Sequence, residues 1–361
     1  MTFIEGIRWL NTPTYWLLAI VLVLLIVAYA IGQALKRQPE SSVDQALLRR
    51  FNQRVQAWLM MSAILIAGFL FGYKSTVLLF GVVSFWALRE FITMTPTRPG
   101  DHRTLFWVFF VLTPAQYVLV GLGDKFYGLY SIMIPVYGSL FIPARIALSG
   151  DYKRFLERSA KIQAGLLICV YSLSHAPALL RLNLLTSKRP AAVKAPAEKD
   201  QIKAEIENAK SALGSASTPR PWTEGSRAGL LFYFILVAEL GDLFQHVWGK
   251  VLGRRVIAPE INASRTWEGF LAGVATTSLL GALLWWVTPF SMWEAACMAL
   301  VIAVMGFAGV MTMSAIKRDR GVQDTGTLVQ GHAGLLDRID AICFSAPVFF
   351  HLTRLFFSSY A

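Results

Sequence analysis

The chain has 361 residues, 55% of them hydrophobic and only 16% charged, with a mean hydropathy of +0.51. Soluble domains carry about 25% charged residues, so this composition excludes an ordinary soluble protein. The formal net charge of +12 falls in loops between apolar runs, which marks a membrane protein with basic loops rather than a nucleic-acid binder. Cys169, Cys297 and Cys343 stand singly in apolar runs, which excludes a disulfide framework or a zinc site.

A membrane-spanning helix needs about 20 apolar residues. In chain order the spans read Tyr15–Leu35, Trp58–Tyr73, Val77–Met94, Leu105–Leu122, Phe126–Leu148 and Ile162–Leu185, the last broken by His175 and Pro177. The first is too long for a signal h-region and lacks a preceding basic patch. A polar stretch, Ser187 to Arg227, follows. Within it Ile202, Ile206, Ala209 and Leu213 recur at helical spacing, predicting a short amphipathic helix from Glu198 to Leu213. Leu230–Trp248, Phe270–Val287, Met292–Met313 and Ile339–Phe357 complete the set. The expected fold is therefore all-α, a polytopic bundle of about nine or ten transmembrane helices. Its regions are 1–186, N-terminal helices; 187–227, an inserted polar loop; and 228–361, a C-terminal catalytic region.

Basic residues set the expected orientation. With the N-terminus outside, the loops 36–56, 95–104, 149–161, 249–267 and 314–338 share one side, and all are rich in Lys or Arg. That side is expected to be cytoplasmic. The loop 187–227 falls outside by alternation, and long segments translocate despite their charge.

The stretch Ser314 to Asp340 concentrates the chemistry. It holds Lys317, Arg318, Asp319, Arg320, Asp324, His332, Asp337, Arg338 and Asp340 within 27 residues, between two apolar runs. Ionisable groups at a bilayer edge cost free energy and report function by default. Asp337 and Asp340 are spaced i,i+3, so they share a helix face. Two carboxylates on one face suit a hard cation such as Mg²⁺. They are also explained by neutralisation through Arg338 and Lys317. Lys317, Arg318 and Arg320 suit phosphate oxygens. Gly331 and Gly334 flank His332 and permit close backbone approach to an anion. Asp242, near the end of an apolar span, is a further candidate. Taken alone, Gly249-x-x-x-Gly253 and Gly269-x-x-x-Gly273 read as helix-packing motifs. No Walker or Rossmann fingerprint is present.

Ser314, Lys317–Arg318, Asp324, Gly331–His332, Gly334 and Asp337–Arg338–x–Asp340 stand at the spacing of S-x-x-K-R, K-D, G-H-G-G and D-R-x-D. Asp242, Gly249, Gly253, Pro259, Thr266, Glu268 and Gly269 match an upstream block, D-x-x-A-Y-x-x-G, G and P-x-x-S-P-x-K-T-x-E-G. The chain resembles the phosphatidate cytidylyltransferase (CDP-diacylglycerol synthase) family as a divergent member, over about residues 230–357.

The resemblance implies an integral membrane nucleotidyltransferase that moves a cytidylyl group from CTP to phosphatidate or a related lipid phosphate. CDP-diacylglycerol and pyrophosphate are the products. It implies Mg²⁺, with a second cation left open. The expected catalytic residues are Asp324, Asp337, Asp340, Lys317 and Arg318. Ser314, Arg320, His332, Arg338, Thr266 and Glu268 are expected at the substrates, and Asp337, Asp340, Asp324 and Asp242 at the metal. The expected location is a bacterial inner membrane with the site facing the cytoplasm. A homodimer is left open, and no nucleic acid is expected. The departures are Gln323, Gln330, Ala333, Asn262–Ala263 and Gln245–His246. Arg320, three residues before Gln323, is the nearest cation to compensate the missing Lys. Two rival readings are a non-catalytic lipid-binding paralogue and a transporter using Glu90, Glu239, Asp242 and His175.

Overall fold

The computed structural model describes residues 11–37, 45–95, 97–186, 220–222, 227–322 and 334–358. The amphipathic helix expected at 198–213 lies outside the described residues, as do Gln323, Asp324, Gln330, His332 and Ala333.

The described chain is almost wholly helical. Six rods come first: α1 (Thr12–Arg37), α2 (Gln45–Leu70), α3 (Tyr73–Met94), α4 (Pro99–Leu122), α5 (Asp124–Ala147) and α6 (Phe155–Arg181). Four follow the insertion: α7 (Arg227–Leu252), α8 (Trp267–Leu283), α9 (Met292–Arg320) and α10 (Leu336–Phe357). Among the described residues eight of these are long and apolar enough to cross a membrane. Of the others, α2 is apolar only over Trp58–Leu70, and α8 has 17 residues. The rods follow the ten apolar runs of the sequence because backbone groups in hydrocarbon must pair internally, which a helix achieves. The chain is thus an integral membrane helical bundle.

Three of the Pro-containing spans carry an irregular turn. α4, α5 and α6 each carry a π-helical turn, at Val108–Leu112, Met133–Gly138 and Leu166–Ser172. In α4 the Thr113 hydroxyl donates to the Val108 carbonyl at 2.8 Å beside Pro114. That carbonyl also accepts from Thr113 N, so the hydroxyl gives it a second donor.

Buried residues from both halves of the chain form one continuous cluster, from Leu17 to Phe357. α6 and α7 are the most enclosed candidate spans and α1 the least. Outward faces carry Leu78, Val82, Phe110, Leu140, Leu271 and Leu279, all exposed in the protein and suited to lipid.

The loops sort to the two ends of the bundle. At one end Arg158 Nε donates to Asp101 Oδ1 at 2.9 Å, Arg98 pairs with Asp151, and Arg320 of α9 reaches Glu157 at 3.7 Å. At the other end Asp124 pairs with Arg354, whose guanidinium lies 3.8 Å from the Tyr127 ring centroid. The flanks of the insertion belong to this second end. Strands β1 (Leu185–Thr186) and β2 (Arg220–Pro221) pair antiparallel, and Thr186 donates to the Pro289 carbonyl at 3.4 Å. Pro289 precedes α9, so the insertion starts and ends opposite Lys317, which sits near the C-terminus of that helix.

Candidate active site

Four elements meet at the first end of the bundle. α7 brings Asp242. A hairpin of β3 (Val256–Ala258) and β4 (Asn262–Thr266) brings Asn262 and Arg265. The last turns of α9 bring Ser314, Lys317, Arg318 and Arg320, and the first turns of α10 bring Asp337, Arg338 and Asp340.

Small residues make the convergence geometrically possible. A Cβ on Gly269 would stand 2.5 Å from Gly249 Cα, and one on Gly273 would stand 2.6 Å from Gln245 Cα. α7 and α8 therefore cross nearly backbone to backbone, the close approach that small residues permit in membranes. A Cβ on Gly309 would stand 2.5 Å from the Asp340 carbonyl, so Gly309 lets α10 settle against α9 beside the acidic turn. α9 stops at Gly321, whose φ of +68° is the left-handed conformation that a glycine adopts without cost.

The hairpin is held by two of the expected substrate residues. Thr266 caps α8, its hydroxyl accepting from Gly269 N at 3.2 Å. Glu268 Oε2 accepts from Arg254 N at 3.0 Å and Arg255 N at 3.1 Å. Both side chains bond local backbone and position the hairpin. Asn262, at the position of a family Ser, donates to Ser314 Oγ at 3.0 Å and accepts from Ser264 N at 3.1 Å. It ties the hairpin to α9. Arg318 Nε adds a second tie, donating to the Ile261 carbonyl at 3.2 Å.

The charged centre holds three carboxylates and two cations. Lys317 Nζ lies 2.9 Å from Asp337 Oδ1, with both side chains mostly buried. Arg265 pairs with Asp242 through Nη2, and its Nη1 donates to the Asp242 carbonyl at 3.4 Å. Asp340 sits within electrostatic reach of Asp242, Asp337 and Arg265. Its Oδ1 accepts from Ala341 N at 2.8 Å, and no cation pairs with it among the described residues. Arg265 stands at this centre although it is not among the residues expected there. Its signal is its place directly before Thr266, where the upstream block has a Lys.

Other expected residues stand differently. Arg320 pairs with Asp319 at 2.6 Å and with Glu157, away from the carboxylate trio. Arg338 has no ion-pair partner among the described residues. Asp324 and His332 lie outside them. Three of the four residues suggested for a transport relay are engaged in structure. Asp242 pairs with Arg265, His175 Nδ1 bonds the Tyr171 carbonyl at 2.8 Å, and Glu90 accepts from Leu335 N and Leu336 N.

All donors in the trio are carboxylate oxygens, the ligand chemistry of a hard divalent cation. Among the described residues three carboxylates face two cations here, and Asp340 is the one with no ion-pair partner. As arranged here, no three His, Cys, Asp or Glu side chains among the described residues close to metal-holding geometry. Asp242 and Asp337 would have to exchange Arg265 and Lys317 for the ion.

A family model described as the cytidylyltransferase family matches residues 52–356. The chain belongs to the cytidylyltransferase family. Along nearly its whole length it is similar to the uncharacterized protein YnbB of Escherichia coli K12. The two are 32% identical over 346 residues, which cover 93% of this chain and 97% of that protein. It is 36% identical over 143 residues to a phosphatidate cytidylyltransferase of Synechocystis, covering 38% of this chain and 48% of that one. A phosphatidate cytidylyltransferase of Aquifex aeolicus is 36% identical over 120 residues, 33% of this chain and 45% of that protein. The chain thus spans about half the length of these two phosphatidate cytidylyltransferases.

Proposed function

We propose that this cytidylyltransferase-family protein transfers a cytidylyl group from CTP to phosphatidate or a related lipid phosphate. The observation that carries the reading is the trio Asp242, Asp337 and Asp340, interleaved with Arg265 and Lys317 at one end of a membrane bundle. A lipid phosphate oxygen attacks the α-phosphorus of CTP. The bond from that phosphorus to the β-phosphate bridging oxygen breaks, and pyrophosphate leaves with the electron pair.

A phosphomonoester is already largely ionised near neutrality, so little base catalysis is needed. The requirements are alignment of two anions and neutralisation of charge. Asp242, Asp337 and Asp340 would hold Mg²⁺, with Asp324 as a further ligand from the loop. When bound, Mg²⁺ neutralises phosphate charge and orients the nucleotide. Lys317 and Arg265, now paired with Asp337 and Asp242, would supply the charge-assisted hydrogen bonds to phosphate oxygens. Arg318 and Arg338 would meet the incoming substrates, with His332 as a further substrate contact, while Ser314, Thr266 and Glu268 hold the frame. The site faces the cytoplasm, where CTP is supplied, and the membrane is a bacterial inner membrane.

The test is purified protein in detergent with labelled CTP, Mg²⁺ and phosphatidate, followed by lipid extraction. Label in a CDP-lipid with matching pyrophosphate release is expected. The departures Gln323, Gln330 and Ala333 favour one second reading, a non-catalytic paralogue. Phosphatidate binding without pyrophosphate release would establish it and overturn the enzyme.

A further inference from the structure

α10 carries Asp337 and Asp340, yet its own sequence does not cap it. The residues entering it are Gly334 and Leu335, and the cap residue Leu335 has no side chain that can accept a first-turn N–H. Helix starts leave several N–H groups unpaired, normally met by a Ser, Thr, Asp or Asn at the cap. In a membrane bundle the deficit is costlier, since little water is available to replace the partner.

The acceptor comes from 245 residues earlier in the chain. Glu90, near the end of α3, is only 7% exposed. Its Oε1 accepts from Leu335 N at 3.1 Å and its Oε2 from Leu336 N at 2.9 Å. A buried carboxylate is expensive unless its oxygens are hydrogen-bonded, and here both are. Its charge also faces the positive end of the helix dipole. Both bonds are to main chain within two residues of Asp337.

We propose that Glu90 is a positioning residue for the cation-holding carboxylates. It acts as a remote cap that sets the height and rotation of the first turn of α10, and through it the aim of Asp337 and Asp340. The N-terminal helices, outside the motif region, thereby become part of the site. This inference rests on the reading of Asp337 and Asp340 as metal ligands, and not on the identity of the lipid.

The experiment uses the full chain in detergent and reads two quantities without turnover. The first is Mn²⁺ binding, followed by loss of the free-ion paramagnetic resonance signal. The second is amide hydrogen exchange across 334–340, with 342–357 as internal reference. In Glu90→Ala, Mn²⁺ binding is expected to weaken about tenfold, the order of one lost charge-assisted hydrogen bond. Exchange should rise in 334–340 alone. Glu90→Gln keeps the size and one carbonyl acceptor and is expected to fall between Glu90→Ala and wild type. It decides the matter if Glu90→Ala does not fold. Unchanged Mn²⁺ affinity in the folded variant would overturn the proposal, even with faster exchange, since Glu90 would then be a structural cap only. Unchanged exchange would overturn the capping itself. Wild type that binds Mn²⁺ but makes no CDP-lipid would sink the cytidylyl-transfer reading and leave Glu90 to be judged on binding. Wild type that binds no Mn²⁺ would end the metal assignment and this proposal with it.

Discussion

At the scale of single residues, the centre is an acidic trio short of one cation. Asp337 pairs with Lys317, Asp242 pairs with Arg265, and Asp340 accepts from Ala341 N and has no ion-pair partner among the described residues. Replacing a ligand carboxylate by an amide removes a charge that a metal site uses, worth several kcal/mol. Asp337→Asn and Asp340→Asn should each lower CTP-dependent turnover about 100-fold or more while the protein stays folded in detergent. Turnover close to wild type at saturating Mg²⁺ would remove that residue from the metal site. Arg265 gives a separate expectation. If its guanidinium turns to a phosphate in the reaction, Arg265→Gln forfeits a charge-assisted bond of roughly 1.5–3 kcal/mol. Use of CTP should fall about 10- to 150-fold, read as kcat/KM, and Arg265→Lys should recover part of it. An unaltered kcat/KM would reduce Arg265 to a structural partner of Asp242. Compensation of Gln323 by Arg320 finds less support, because Arg320 is paired with Asp319 and Glu157.

At the scale of elements, crossing distance decides whether the trio exists. α9 and α10 pack at Gly309, where an added methyl would meet the Asp340 carbonyl at 2.5 Å. Overpacking of this kind costs about 1–3 kcal/mol, and here the strain falls on a ligand-bearing turn. Gly309→Ala is expected to lower both the thermal midpoint in detergent and the turnover. Gly128→Ala, with nothing within 4 Å of the added methyl, serves as the control and should change neither. Equal midpoints for both variants would show that the crossing has slack. The hairpin works by the same logic. Thr266 and Glu268 read as substrate contacts in the motif, but their oxygens hold backbone N–H groups, which fixes where Arg265 projects.

At the scale of the whole molecule, long-range pairs join the first half of the chain to the second at both ends. Glu90 meets Leu335 and Leu336 at the site end, while Asp124 meets Arg354 and Tyr127 OH lies 3.1 Å from His351 Nδ1 at the other. The flanks of the insertion sit at that other end, so membrane sidedness is testable with two probes. After replacement of the native cysteines, of which Cys297 is exposed, a cysteine at Ser215 should react with an impermeant reagent in intact cells. One at Ser264, in the hairpin beside Asp242, should not. The reverse labelling would put the carboxylates outside, where CTP is scarce, and would count against the proposed reaction.

The sequence by itself determined the class of the molecule, its apolar rods and the stretch that carries the acidic pair. Hydropathy acts over about 20 contiguous residues, and the i,i+3 spacing of Asp337 and Asp340 is local, so both can be read along the chain. Family patterns likewise need only spacing, and they pointed to Asp242, Lys317 and the glycines. Only the tertiary structure decided that Asp242 stands with Asp337 and Asp340, that Arg265 pairs with Asp242, and that Glu90 caps α10. Each of these is a pairing between distant segments, set by helix crossings that depend on where backbone can touch backbone. A carboxylate at position 90 looks the same in a sequence whether it relays protons, meets a cation or caps a helix. Its role is fixed by which N–H groups the packed bundle brings to its two oxygens.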